Sequence, residues 1–210
     1  MRLNGVKDLN PRFLLRAILP RRTIFSYATS TQARHSRHSH YVTQRGNYRQ
    51  QVFFRDEDRR LYLSLLRDHS QHFGISVLAW CLVPNHVHLI ATPHHPKALA
   101  QALRQLHSDY ARALHLRLGR RGHLWQARYH SVPLDEPHRW AVRVYVEQNP
   151  TRGGLAAQPW EWRWSSAQAH VGMADHGLLD TALWRRHYTG EAWRRCLEFG
   201  LADRVRGAHP

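Results

Sequence analysis

Apolar and polar positions change period several times along the chain, and each change marks an expected element. His40-Tyr41-Val42-Thr43-Gln44 has strand-favouring content and is closed by Arg45-Gly46-Asn47, a turn in which Gly46 is expected to take positive φ. From Asp56 the spacing becomes helical: Tyr62, Leu66, His69 and Phe73 fall on one stripe with Leu61 and Leu65 beside it. Asp56-Glu57-Asp58 suits the positive end of that helix dipole, and Gly74 ends it. Ile75 to Leu82 is an apolar run interrupted by the turn Val83-Pro84-Asn85 and resumed by His86-Val87-His88-Leu89-Ile90, which predicts a hairpin extending to Thr92. Beyond Pro93 and Pro96, Leu99, Leu103, Leu106, Tyr110 and Leu114 define a second amphipathic helix, broken by Gly119-Arg120-Arg121-Gly122. Leu124 to Val132 is expected to form a fourth strand. Asp135-Glu136-Pro137 then opens a third helix running to about Gln148 and stopped by Asn149-Pro150.

The first six of these elements read βαββαβ, the ferredoxin-like plan. The expected class is α+β: one antiparallel sheet with helices on one face and the other face free. Residues 1–38 are rich in arginine, lack a hydrophobic period and are expected to be a flexible basic arm, although an organelle transit peptide shares that composition. Residues 39–154 are expected to carry the functional domain. Residues 155–200, where Trp160, Trp162 and Trp164 alternate, are expected to pack on it as a C-terminal helical subregion, because each indole has a large apolar area to cover. Residues 201–210 read as a tail.

Composition narrows the function classes. A formal charge of +16 over 210 residues draws a chain to polyanions, nucleic acid above all. No stretch approaches the length of apolar sequence needed to span a bilayer, so no membrane partner is expected. The two cysteines, Cys81 and Cys196, form neither a metal-ligand spacing nor a disulfide framework, which favours reducing, cytoplasmic surroundings.

Within the hairpin, His86 and His88 are one residue apart, and a strand puts such a pair on one face of its sheet. Two imidazoles make an incomplete metal site, so further ligands must come from elsewhere in the chain or from substrate. The third helix offers Tyr145 and Asn149, which are four apart and therefore share a helical face. If that helix packs beside the histidine strand, Asn149 completes the ligand set while the Tyr145 phenol is aimed at a phosphate, and the chemistry is phosphoryl transfer. Plainer readings stand beside this one. Tyr145 lies among Ala141, Val142, Val144 and Val146 and also reads as a core residue, and Asn149-Pro150 also reads as a helix stop. Glu147 suits orienting a ligand, yet Arg143, one turn earlier, suits a simple ion pair with it. Arg45, Arg49, Trp125, Arg128, Tyr129 and His130 form a basic and aromatic set suited to single-stranded DNA, although Trp125 and Tyr129 fit a core equally well.

These motifs, in this order, resemble those of the REP-associated tyrosine transposases, relatives of the small single-tyrosine insertion-sequence transposases that share the histidine-hydrophobic-histidine (HUH) motif. The resemblance rests on Val42-Thr43-Gln44-Arg45-Gly46-Asn47, Val52-Phe53-Phe54, Asn85-His86-Val87-His88, Gly122 through Tyr129, Tyr145 through Pro150, and Trp164-Ser165-Ser166. It implies DNA transposition and recombination chemistry: a ferredoxin-like nuclease that cuts single-stranded DNA beside an imperfect hairpin, leaving a 5′-phosphotyrosine and a free 3′ hydroxyl, with Mg²⁺ or Mn²⁺. By residue, it implies Tyr145 as nucleophile and His86, His88 and Asn149 as metal ligands, with Gln148 as the alternative third ligand. It also implies a nucleoid-associated location and either a monomer or a homodimer. A non-catalytic nucleic-acid binder of the same fold, and a phosphodiesterase using water as nucleophile, are the rival expectations.

Overall fold

The computed structural model describes residues 38–174 and 177–199. The arm expected over 1–38, apart from its last residue, and the tail expected over 201–210 lie outside the described residues. Strands β1 (Ser39–Arg45), β2 (Ile75–Val83), β3 (His86–Pro93) and β4 (His130–Leu134) form a four-stranded sheet of order β2-β3-β1-β4. Every neighbouring pair is antiparallel. Helices α1 (Asp56–His72) and α2 (Ala98–Leu118) fill the two crossovers, giving the ferredoxin-like α+β fold.

Local chemistry explains the helix ends. Asp58 accepts from the backbone N–H of Phe54 and Arg55, closing the first turn of α1, and the same carboxylate pairs with Arg117 near the end of α2 at 2.8 Å. Gly119, at φ 60, caps α2 in the left-handed conformation that costs glycine least. Helices α1 and α2 bury Tyr62, Leu66, Leu103, Leu106 and Tyr110 against Val42, Val87, Leu89 and Trp80 on one face of the sheet.

The opposite face is covered too, contrary to the expectation from the βαββαβ pattern. Helix α3 (Glu136–Glu147), capped by the Asp135 side chain, lays Val142, Tyr145 and Val146 over Tyr41, Leu78, Ala79, Cys81 and Ile90. A β-bulge between Val77 and Ala79 sets Leu78 and Ala79 both on that face and widens its apolar area. A free face would leave these side chains in water; α3 carries the complementary stripe.

Two other boundaries differ from expectation. The fourth strand spans His130–Leu134 and not Leu124–Val132, because Leu124 and Trp125 turn into the α1/α2 core, where the Trp125 indole donates to His107 O at 3.0 Å. Pro133 is tolerated in β4 because β4 is an edge strand. Helix α3 does not simply stop at Asn149-Pro150: a further turn, α4 (Asn149–Arg152), continues from it, with Pro150 where its missing N–H is not needed. In the turn after β1 the positive φ angles belong to Tyr48 (48°) and Arg49 (59°), while Gly46 has φ −62° and is needed for space, since a Cβ there would meet Gln50 O at 2.3 Å.

Beyond Gly154 the tryptophans build a third cluster. Trp160, Trp184, Tyr188 and Trp193, the last from α5 (Gly190–Phe199), pack on Trp140 and Val144 of α3. The stretch 162–166 runs along the outer edge of β2: Leu82 N donates to Trp164 O, Ser166 N to Trp80 O, and the Trp162 indole to Leu82 O. No helix among the described residues is long and apolar enough to cross a membrane.

Candidate active site

The β3 alternation sends Val87 and Leu89 to the α1/α2 face and His86, His88 and Ile90 to the α3 face. The ladder register sets Thr43 beside His88 and Arg45 beside His86 on β1, and His130 of β4 beside Thr43. Arg45 and His130 therefore share the histidine face, at the end of the sheet that α3 does not cover.

Helix α3 brings Tyr145 to the same place. Its ring stands edge-on to His88 with centroids 5.9 Å apart and edge-on to Tyr41 at 6.2 Å, and the His86 and His88 rings are 4.6 Å apart. Asn149 is anchored one turn further on by donation from Nδ2 to Tyr145 O at 3.0 Å. Burial, and after it the neighbouring His86 and Arg45, hold His88 well below the usual histidine range, while the nearby Asn149 amide opposes them with the smallest effect. His88 is thus neutral at pH 7, the form that coordinates a cation.

Both imidazoles are oriented through Nδ1. His88 Nδ1 is 2.8 Å from the Tyr41 hydroxyl, and His86 Nδ1 donates to Asn85 Oδ1 at 2.6 Å. His88 Nε2 is buried and makes no hydrogen bond of good geometry, with the Asn149 amide as a polar neighbour of the ring. A buried, unpaired imidazole nitrogen held by a partner on its other nitrogen is the donor a divalent ion requires. Among the described residues no three His, Cys, Asp or Glu side chains gather as a metal cluster, so the ligand set must draw on Asn149 or on substrate oxygens. Gln148 is turned away, its amide donating to Leu197 O at 2.8 Å.

Two further side chains belong to the site and lack a signal of their own in the sequence. Burial and the neighbouring Tyr145 hydroxyl push the Tyr41 phenol well above its ordinary value, so it remains protonated. The Arg152 guanidinium sits 5.3 Å from the centre of the Tyr145 ring, carried there by the extra turn α4. Arg152 would have been legible had the helix been read through Pro150. Tyr41 would have needed the register between β1 and β3.

The remaining candidates separate. Arg49, Arg128 and His130 are exposed and Arg45 is half-buried. Trp125 packs on His107 and Tyr110, and Tyr129 is half-buried against the α1/α2 core, so their rings serve packing. Tyr110 is fully buried and donates to Val52 O. Glu147 makes no ion pair with Arg143. It is buried on the far side of α3, where His170 and Ser166 donate to Oε1 and Trp193 Nε1 donates to Oε2 at 2.8 Å. Burial pushes its carboxyl up, but His170 and these hydrogen bonds together hold it below the usual range. Arg143 is buried with its guanidinium 5.0 Å from the Trp140 ring centre, and burial brings it down to about 10.

Residues 33–149 match the family model described as "Transposase IS200 like". The chain belongs to the IS200-like transposases. The fold agrees: the structure of a REP-associated tyrosine transposase bound to a REP hairpin superposes with a TM-score of 0.56 over 69% of this chain and 92% of that one, at 16% identity. A candidate transposase from Deinococcus radiodurans R1 is 27% identical over 53% of this chain and 90% of its own, with a TM-score of 0.35. No curated protein matches this IS200-like transposase.

Proposed function

We propose that this protein cuts and rejoins single-stranded DNA beside hairpins, with Tyr145 as nucleophile and a divalent ion, Mg²⁺ or Mn²⁺, held by His86, His88 and Asn149. The observation that carries the proposal is the convergence, within one chain, of the Tyr145 ring on His88, with Asn149 beside both. The ion supplies Lewis-acid stabilisation of the phosphate oxygens as negative charge builds there.

The protein's own groups do the rest. The Tyr145 phenol gives its proton to solvent and its oxygen attacks phosphorus, the bond from phosphorus to the 3′ oxygen breaks, and that oxygen takes a proton from solvent, leaving a 5′-phosphotyrosine and a free 3′ hydroxyl. In the ion-binding tautomer His88 Nδ1–H donates to the Tyr41 oxygen, leaving the Tyr41 proton to stabilise the phenolate forming on Tyr145. Arg152, over the Tyr145 ring, favours the same charge. Because the ester bond is exchanged and not hydrolysed, a second 3′ hydroxyl can reverse the step onto a new strand. Arg45, Arg49, Arg128 and His130 would meet phosphates along the uncovered end of the sheet. The hairpin in the solved structure of the REP-associated relative supports hairpin DNA as the substrate class. Since all of these groups come from one chain, the site would be self-contained in a monomer.

The test uses a labelled hairpin oligonucleotide with single-stranded flanks and Mn²⁺. Tyr145→Phe is expected to abolish the protein–DNA adduct on a denaturing gel while hairpin binding persists. An adduct formed by the variant refutes Tyr145 as nucleophile, and cleavage that survives without an adduct points to water.

A further inference from the structure

Beside the proposed centre, the turn that follows β1 holds an aromatic side chain away from every core. Tyr48 is 94% exposed, the most exposed large hydrophobic residue among the described residues. Water is a poor environment for a free phenol ring, and the backbone is not relaxed there either: Tyr48 (φ 48°, ψ 29°) and Arg49 (φ 59°) both occupy the left-handed region that residues with a Cβ rarely adopt.

The surrounding contacts fix this conformation. Gly46 N donates to Asn85 O at 2.9 Å, Asn47 N to Leu124 O at 2.8 Å and Arg49 N to Gly46 O at 3.0 Å. The Asn85 amide also donates to Arg49 O at 3.3 Å while its Oδ1 accepts from His86. One asparagine side chain therefore ties the turn that displays Tyr48 to the first histidine of the proposed ion site. The turn lies next to Arg45, which pairs with His86 across the ladder.

We infer that Tyr48 is a stacking platform for a nucleobase of the single strand entering the active site, a subsite separate from the groups that act on the phosphate. A tyrosine side chain on a backbone already fixed by hydrogen bonds has few torsions left to order on binding, and every base offers a π face to its ring. The basic charge of the chain and the adjoining arginines select a nucleotide over an apolar peptide as the occupant. The inference rests on single-stranded DNA being the substrate, as proposed above, but its test does not use the cleavage reaction.

Binding of the full-length protein is measured by fluorescence anisotropy to oligodeoxythymidylate of about 20 nucleotides and to an abasic oligomer of the same length, which carries the phosphates without the bases. Tyr48→Ala is expected to weaken binding to the thymidylate by roughly five- to a hundred-fold and to leave the abasic oligomer unaffected, with Tyr48→Phe restoring it. Equal binding by Tyr48→Ala and wild type, an equal loss on both probes, or failure of Phe to rescue overturns the inference. So does a wild-type protein that binds the two probes alike. Tyr48→Gly, which relaxes the positive φ, must behave as Tyr48→Ala does. Adduct formation on the hairpin substrate is scored separately, so a stacking effect without adduct condemns the catalytic proposal alone, and an adduct without a stacking effect condemns this one alone.

Discussion

Replacing Glu147 by Gln tests what holds the C-terminal subregion to the helix that carries Tyr145. The substitution preserves shape, removes the charge and leaves one acceptor oxygen where there were two. In the native arrangement His170 and Ser166 donate to Oε1 and Trp193 to Oε2, all buried. With the amide oxygen at the Oε1 position, the new NH₂ faces the Trp193 N–H, donor against donor. A hydrogen bond to a charged group contributes about 1.5–3 kcal/mol, and the two that survive weaken to neutral strength, so the total loss is about 3–5 kcal/mol. For a chain of this size that lowers the midpoint of thermal unfolding by about 6–20 °C, readable by circular dichroism or calorimetry. A double-mutant cycle sharpens the test: Trp193→Phe removes the opposing donor and should therefore cost less in the Glu147→Gln background than in wild type. A midpoint within about 2 °C of wild type, or an identical Trp193→Phe cost in both backgrounds, would refute the account.

Three further outcomes are expected. Burial lowers His107 to about 3, so the native state refuses a proton that the unfolded chain accepts below about 6.5; stability from this group is full above that pH and falls as the solution is acidified, by about 3 kcal/mol at pH 4. Denaturant titrations of wild type and His107→Gln between pH 7 and 4 check it, the variant showing the shallower loss. Tyr41→Phe, which removes the hydroxyl on His88 Nδ1, should slow adduct formation by about 10–100-fold with hairpin binding unchanged, measured by single-turnover kinetics. Chelation of divalent ions should end adduct formation and leave hairpin affinity intact, with Mn²⁺ or Mg²⁺ restoring the reaction; persistence of the adduct in chelator would remove the proposed role of His86 and His88.

Much of this fold was legible because the hydrophobic period carries it. The stripe from Leu99 to Leu114 and the interrupted run from Ile75 to Thr92 fix α2 and the β2/β3 hairpin, and the βαββαβ order then admits few topologies. The likeness of His86, His88, Tyr145 and Asn149 to a known motif set located the candidate site, because period-2 and period-3.6 repeats tell which residues share a face. Composition did not tell Leu124-Trp125 from a strand, since the apolar rings that favour a strand also fill a core, as these do. Nor could it show that α3 would close the second face. That depends on the bulge at Leu78 and on which way the tryptophans of the last fifty residues pack, both of them tertiary matters. Tyr41 and Glu147 acquired their roles from neighbours distant in sequence, His88 and Tyr145 for one, His170 and Trp193 for the other.

The strand borders of the sheet bear on how copies of this protein can meet. Along β2 the outward amide and carbonyl groups of Trp80 and Leu82 are already satisfied by Trp162, Trp164 and Ser166. On the other side the boundary strand is only five residues long, and Pro133, its fourth residue, offers no amide proton. Among the described residues neither rim therefore offers a long run of unpaired amides to a second copy, and the central strands with their histidines lie inside both.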